Sequence, residues 1–296
     1  MPTDPPTAPA GDFLVDSDVR PDPSAPGRYT LDLSPAWNVF YTFGGMSMAV
    51  ALRAIEREVA RDDFGPLTAT AVYIQPVTDG PVEIDVRVLR NGRGVAQATA
   101  DLRNTTQRGS ALHLSATFGA PAASLVEYTD ATFPDVPPPD ECDPPPPRPD
   151  DSPFNDINFH QQTDWRPTSW WDPETWTSQP AQQMSWTRFI KEPRRPDGTI
   201  DPISLPIPAD TLGGAVGQRT GPQPFFVLTL ELGVHFFATT TTPWVLQHVV
   251  SPRAGDGYAS GHVYLWDENK RLLGFATQRA RMRPVDPNEG FGQRAS

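Results

Sequence analysis

Apolar residues recur at Met48, Leu52, Ile55 and Val59. Those intervals of four, three and four place them on one face of an α-helix. Arg53, Glu56, Arg57 and Arg61 fall largely off that stripe, and Asp62-Asp63 followed by Gly65-Pro66 ends it. The pattern then changes. Thr68–Gln75 and Val82–Arg90 are rich in β-branched and apolar residues, as strands are. Asn91-Gly92 is a two-residue hairpin signal, and Val95–Asn104 and Ala111–Phe118 continue the sheet. A weaker strand, Arg28–Leu33, precedes the helix.

The second half repeats this order. Ala209–Val216 predicts a short capped helix with Asp210 as its N-cap. Strands follow at Phe225–Phe237, Trp244–Val250, Gly257–Trp266 and Leu272–Arg283, the last after a turn at Asp267–Lys270. Val72-Tyr-Ile-Gln-Pro-Val matches Val234-His-Phe-Phe-Ala-Thr in position, an internal repeat with little surviving identity.

Proline changes the reading of the segments between. The chain has 296 residues and 36 prolines, and these collect at residues 2–26, at 134–153 and near the C-terminus. The resulting organisation is a disordered arm at 1–27, a first domain at 28–127 and a proline- and tryptophan-rich linker or insertion at 128–192. A second domain at 193–284 and a flexible tail at 285–296 complete it. Five of the eight tryptophans, Trp165, Trp170, Trp171, Trp176 and Trp186, lie in the insertion. They read as an inter-domain packing layer or as a wall of an apolar pocket.

A formal net charge of −12 speaks against general nucleic-acid binding, which needs a basic surface. No apolar run approaches the roughly 18–20 residues that span a bilayer. The acidic, proline-rich start lacks the features of a signal peptide, so a soluble cytoplasmic protein is expected. Cys142, the single cysteine, sits in a proline run that offers no base to activate it.

A helix followed by a curved antiparallel sheet suggests an α+β fold of two tandem hotdog domains, each a long helix wrapped by its sheet. The two sheets would pair edge to edge. In this the sequence resembles the double-hotdog acyl-CoA thioesterases of the thioesterase II type. The resemblance rests on Phe43-Gly-Gly-Met-Ser-Met-Ala-Val-Ala-Leu, Tyr73-Ile-Gln-Pro-Val and the strand pair around Arg90-Asn-Gly-Arg93. In the second half it rests on Ala209-Asp-Thr-Leu, Val227-Leu-Thr-Leu-Glu-Leu, and Gly257–Asp267 through Leu273–Arg283. It covers roughly residues 28–120 and 200–284.

The resemblance implies hydrolysis of an acyl-CoA thioester by a water positioned by Asp210, Thr229 and Gln278. It implies acyl-CoA as the partner molecule and a homo-oligomer, a dimer through sheet edges, with no cofactor; no metal is expected, because His113, His160, His235, His248 and His262 show no metal-ligand spacing. Helix N-termini can hold an oxyanion, which points to Gly44, Gly45, Gly213 and Gly214. Arg188, Arg194, Arg195 and Arg279 are candidates for the CoA phosphates. The first half has no comparable set, with Gln75 and Gln97 its nearest polar candidates.

Two rival readings stay open. One is an acyl-CoA or lipid binder without turnover. The other is a hotdog hydratase or dehydratase using His235 or His262. Gly45-Met-Ser-Met-Ala49 mimics a nucleophile elbow but lacks the framework of preceding parallel strands.

Overall fold

The computed structural model describes residues 10–146, 157–170, 174–221 and 225–284. The described strands form one twelve-stranded antiparallel sheet. In chain order they are β1 (Arg20–Pro21), β2 (Arg28–Leu33), β3 (Gly65–Tyr73), β4 (Gly80–Asn91), β5 (Val95–Asn104), β6 (Leu112–Gly119), β7 (Thr163–Pro167), β8 (Gln182–Phe189), β9 (Phe225–Phe236), β10 (Val245–Gly255), β11 (Tyr258–Asp267) and β12 (Leu272–Pro284). Across the sheet the order is β1-β2-β4-β5-β6-β3-β9-β12-β11-β10-β8-β7. Read outward from its centre, each half runs through the same sequence of equivalent strands: β3, β6, β5, β4, β2 on one side and β9, β12, β11, β10, β8 on the other.

The halves join where β3 pairs β9, from Thr68↔His235 to Val72↔Glu231. This ladder is symmetric about Thr70↔Gly233, so Val72 corresponds to His235 and Ala71 to Val234. The expected match of Val72 with Val234 is therefore one residue out. Burial shows why that matters: Val72 and His235 are exposed, whereas Ala71 and Val234 are buried. A slip of one residue exchanges the faces of a strand.

The helical stripe forms as expected. Helix α2 (Gly44–Val59) buries Met48, Leu52, Ile55 and Val59, and it ends at Ala60 in the left-handed conformation. It packs on β4, β5 and β6. Among the described residues the second half has no matching long helix. Helix α3 (Pro206–Ala209) ends where Asp210 leaves the helical conformation, at φ −89° and ψ 61°, and α4 (Leu212–Thr220) starts afresh. Asp210 thus ends α3 instead of capping α4, which corrects the single capped helix read at 209–216. One continuous core runs beneath both halves, including Leu52 and Ile55 of α2, Leu114 of β6, Leu232 of β9 and Val263 of β11.

Two segments read as peripheral are parts of the fold. In the arm expected to be disordered, α1 (Phe13–Asp16) buries Phe13 against Trp37 and Phe189. Gly11 N–H donates to Gln162 Oε1 at 2.7 Å, and Lys191 pairs with Asp12 at 2.5 Å. Buried Phe13 and Val19, with these polar contacts, tie the arm to the fold despite its prolines. The insertion at 128–192 supplies β8, the counterpart of β2, so the second sheet starts before residue 193.

Part of the proline-rich stretch covers the outer face of that sheet. Phe133 and Val136 pack on Trp186, Trp244, Trp266 and the buried Cys142. Trp186 Nε1 donates to the Pro137 carbonyl at 2.9 Å. This favours packing for Trp186. Residues 1–9, Trp171 and the tail at 285–296 lie outside the described residues. No helix among the described residues is long and apolar enough to cross a membrane.

Candidate active site

Asp210, Thr229 and Gln278 come from three elements: the α3–α4 break, β9 and β12. Alternation along a strand decides which side chains face the core, and a β-bulge alters it locally. Gln278 pairs with Leu232 and shares its inward face. The register then shifts between Arg279 and Ala280, where Thr229 pairs with Ala280. Leu230 is the extra residue; in an unbroken register Leu230 would stand opposite Ala280 in place of Thr229.

The three side chains form a closed network. Thr229 Oγ1 donates to Asp210 Oδ1 at 2.7 Å. Gln278 Nε2 donates to Asp210 Oδ1 and to Thr229 Oγ1, each at 2.6 Å. Gln278 Oε1 accepts the Leu212 N–H at 3.0 Å, which fixes the orientation of the amide.

The first half contributes as well. The Gly45 N–H, in the first turn of α2, donates to the Asp210 carboxylate. Phe43 at the N-cap of α2 has no capping side chain, so a carboxylate from the other half occupies the positive end of this helix. Glycine permits the approach. A Cβ on Gly44 would lie 2.5 Å from Asp210 Oδ2, and one on Gly45 would lie 2.7 Å from Ile207 Cα. Tyr73 on β3 donates from its hydroxyl to the Gly44 carbonyl at 2.8 Å and holds this turn in place.

Asp210 keeps a partly exposed edge while its carboxylate is enclosed. Burial pushes its pKa from 3.8 up to about 6, against the hydrogen bonds from Thr229, Gly45 and Gln278, which pull it down. Burial and the nearby Asp210 charge also raise the Tyr41 and Tyr73 hydroxyls.

The repeat lets the halves be compared position by position. By the symmetry of the β3–β9 ladder, Leu230 corresponds to Leu67, and the β3–β6 register shifts there too. Pro66 then stands where the second half has Thr229, and Ala116 where it has Gln278. The bulge is kept and the polar pair is not. Gln75 is exposed and bonded to the Arg108 and Ser110 carbonyls, and Gln97 is exposed. Neither occupies the corresponding position.

The chain matches two family profiles, the acyl-CoA thioesterase N-terminal domain over residues 33–119 and the acyl-CoA thioesterase C-terminal domain over residues 139–282. The chain belongs to the acyl-CoA thioesterase family. It is a thioester hydrolase of the hotdog fold class. Solved structures share the fold at low identity. A hotdog-fold protein of unknown function from Alicyclobacillus acidocaldarius is 22% identical, with a TM-score of 0.73 over 92% of this chain and 98% of that one. The tesB protein of Mycobacterium avium subsp. paratuberculosis is 19% identical, with a TM-score of 0.72 over 93% and 100%. The acyl-CoA thioesterase II of Mycobacterium marinum is 17% identical, with a TM-score of 0.66 over 93% and 99%. No curated protein matches in sequence.

Other residues singled out in the thioesterase sequence are placed differently. Arg188 pairs with Asp164 at 3.1 Å and lies over the Trp244 ring. Arg194 pairs with Glu192 at 2.6 Å, and Arg195 pairs with Glu56 and Asp201, each at 2.8 Å. Arg279 bonds Ser260 and lies over Tyr258. The four do not form an open phosphate cluster, because three are matched to carboxylates and Arg279 lies on the strand face opposite Gln278. Gly214 is occupied too: its N–H donates to the Thr211 carbonyl at 3.2 Å. His235 and His262 pack beside Phe275 on the outer face of the sheet, away from Asp210.

Sequence reasoning missed Gly45 as a partner of Asp210, and also Gln247. Gln247 is a buried glutamine on an alternating strand, and nothing local in the sequence marks it.

Proposed function

We propose that this thioesterase has two tandem hotdog repeats and hydrolyses acyl-CoA through a water held by Asp210, Thr229 and Gln278. The observation that carries this is the closed network of those three side chains around a carboxylate pushed up to about 6. A base with a pKa near the working pH is ionised and still accepts a proton readily.

In this reading water attacks the thioester carbonyl and gives its proton to Asp210. Thr229 and Gln278 fix the approach. First-turn N–H groups of Gly44 and Gly213 receive the oxyanion, since Gly45 is committed to Asp210 and Gly214 to Thr211. The tetrahedral intermediate expels the CoA thiolate, which takes the proton back from Asp210. Free acid and CoA are released. The hydratase reading loses support because His235 and His262 lie on the other face of the sheet.

The test is CoA release, read with a thiol reagent, on acyl-CoA substrates of increasing chain length. Asp210→Ala and Gln278→Ala should each lower turnover by about two or more powers of ten. Wild-type rates in both would sink the assignment. Folded protein that binds acyl-CoA and releases no CoA would point to a binding protein.

A further inference from the structure

We infer that Gln247, oriented by Ser185, is a positioning residue that holds Asp210 from the side opposite Gln278. This rests on the proposed role of Asp210.

The segment carrying Asp210 needs outside support. Helix α3 is four residues long and contains two prolines, so few of its hydrogen bonds are its own. Its last carbonyls have no helical partner beyond Asp210. The Pro208 carbonyl, two residues before Asp210, accepts from Gln247 Nε2 at 3.0 Å. Gln247 Oε1 accepts from Ser185 Oγ at 2.8 Å, which sets which end of the amide faces Pro208. Both side chains are buried, with 3% and 1% of their surface exposed. Two residues after Asp210, the Leu212 N–H is held by Gln278.

The two anchors lie on β10 and β12, and β11 runs between them. On β11, Gly261 leaves the space that the Leu212 side chain fills. A Cβ there would meet Leu212 and lie 2.6 Å from the Val250 carbonyl. Residues 208–212 therefore cross β11 held at both ends, with Asp210 at the middle. Gln278 touches Asp210 itself. Gln247 acts on it only through the backbone.

A buried amide that merely satisfies a carbonyl would affect stability alone. An amide that positions Asp210 would also set how well the carboxylate meets Thr229, Gln278 and Gly45. Those bonds lower its pKa, so loosening them moves the titration to higher pH.

The test uses the full chain and two variants, Gln247→Leu and Ser185→Ala. Acyl-CoA hydrolysis is followed against pH, and Asp210 is titrated by carboxyl 13C NMR, its signal assigned by loss in Asp210→Asn. In Gln247→Leu, kcat should fall about tenfold or more, because small displacements of a reacting group cost up to about a hundredfold. KM should stay within about twofold. The acid limb of kcat and the Asp210 titration should move together to higher pH. Ser185→Ala should show the same changes, smaller, and it carries the test if Gln247→Leu does not fold.

A lower melting temperature with kcat, acid limb and Asp210 titration unchanged in the folded variants would overturn the inference. Should Asp210→Asn keep wild-type turnover, the catalytic reading fails. The carboxyl titration then still decides whether Gln247 positions Asp210.

Discussion

Asp210 carries opposing demands. Enclosure raises its pKa to about 6, and three donors restrain the rise. Two consequences follow at different pH ranges. For activity, the proton-accepting form is lost as pH falls through about 6, so kcat should drop on the acid side with a limb there, and Asp210→Asn should abolish the limb with the activity.

For stability the sign is the reverse of a salt-bridged carboxylate. The folded state binds this proton more tightly than the unfolded state, so Asp210 costs stability as pH rises from about 4 through about 6. Asp210→Asn should therefore be more stable than the wild type at pH 8, by up to about 3 kcal/mol and with a higher melting point, and show little gain at pH 4. Calorimetry at both values checks it. Equal melting points at both would mean that the enclosed charge costs nothing.

How far this residue-level site was legible depends on the kind of signal. Asp210, Thr229 and Gln278 could be placed by resemblance, because each lies within a short run of matching residues. The donor at Gly45 could not. It lies 165 residues earlier in the numbering, and a glycine in a helix start carries no mark of a distant carboxylate.

Among elements, the long amphipathic helix and most strands were legible because their periods are regular. The exceptions have local causes. Strand β8 was hidden by the prolines and tryptophans around it, and the α3–α4 break was read as one helix across an unremarkable Ala-Asp-Thr. The one-residue slip between β3 and β9 arises because Val, Phe and Ala around residue 234 fit either face.

Helix α2 packs closely, backbone to backbone, on α3. A Cβ at Gly45 would strike the Pro206 carbonyl and lie 2.7 Å from Ile207 Cα, both backbone atoms that cannot turn aside. Gly45→Ala should therefore separate the two helices and withdraw the N–H from Asp210. The expected result is a loss of about 1–3 kcal/mol by denaturant unfolding, together with an alkaline shift of the acid limb. Stability lost with the limb unmoved would mean that the N–H follows Asp210 when the helices part.

At the scale of the whole molecule, three of the devices that join the halves among the described residues lie outside the site. The β3–β9 ladder closes the sheet, α1 wedges Phe13 between Trp37 and Phe189, and a buried ion network ties α2 to the turn before α3. In that network Arg53 and Arg195 both reach Asp201, which is 1% exposed, and both reach Glu56. Removing one member of a buried network leaves charge uncompensated. Asp201→Asn should cost about 3–5 kcal/mol in unfolding free energy; a change below about 1 kcal/mol would show that water reaches the arginines.

The same three devices argue that the second half cannot work alone, although it holds Asp210, Thr229 and Gln278. Cut from the first half, residues 139–282 would expose the β9 edge, a row of unpaired backbone groups that invites aggregation. They would also lose the Gly45 donor. With that bond gone, nothing from α2 offsets the enclosure of Asp210, and the Tyr73-supported turn beside it is absent. The expected outcome is a fragment that is aggregated or inactive by itself, and that regains acyl-CoA hydrolysis when mixed with residues 1–138. A monodisperse fragment with full activity would show that the first half serves the site in no way, and would return the oxyanion and the tuning of Asp210 to α4 alone.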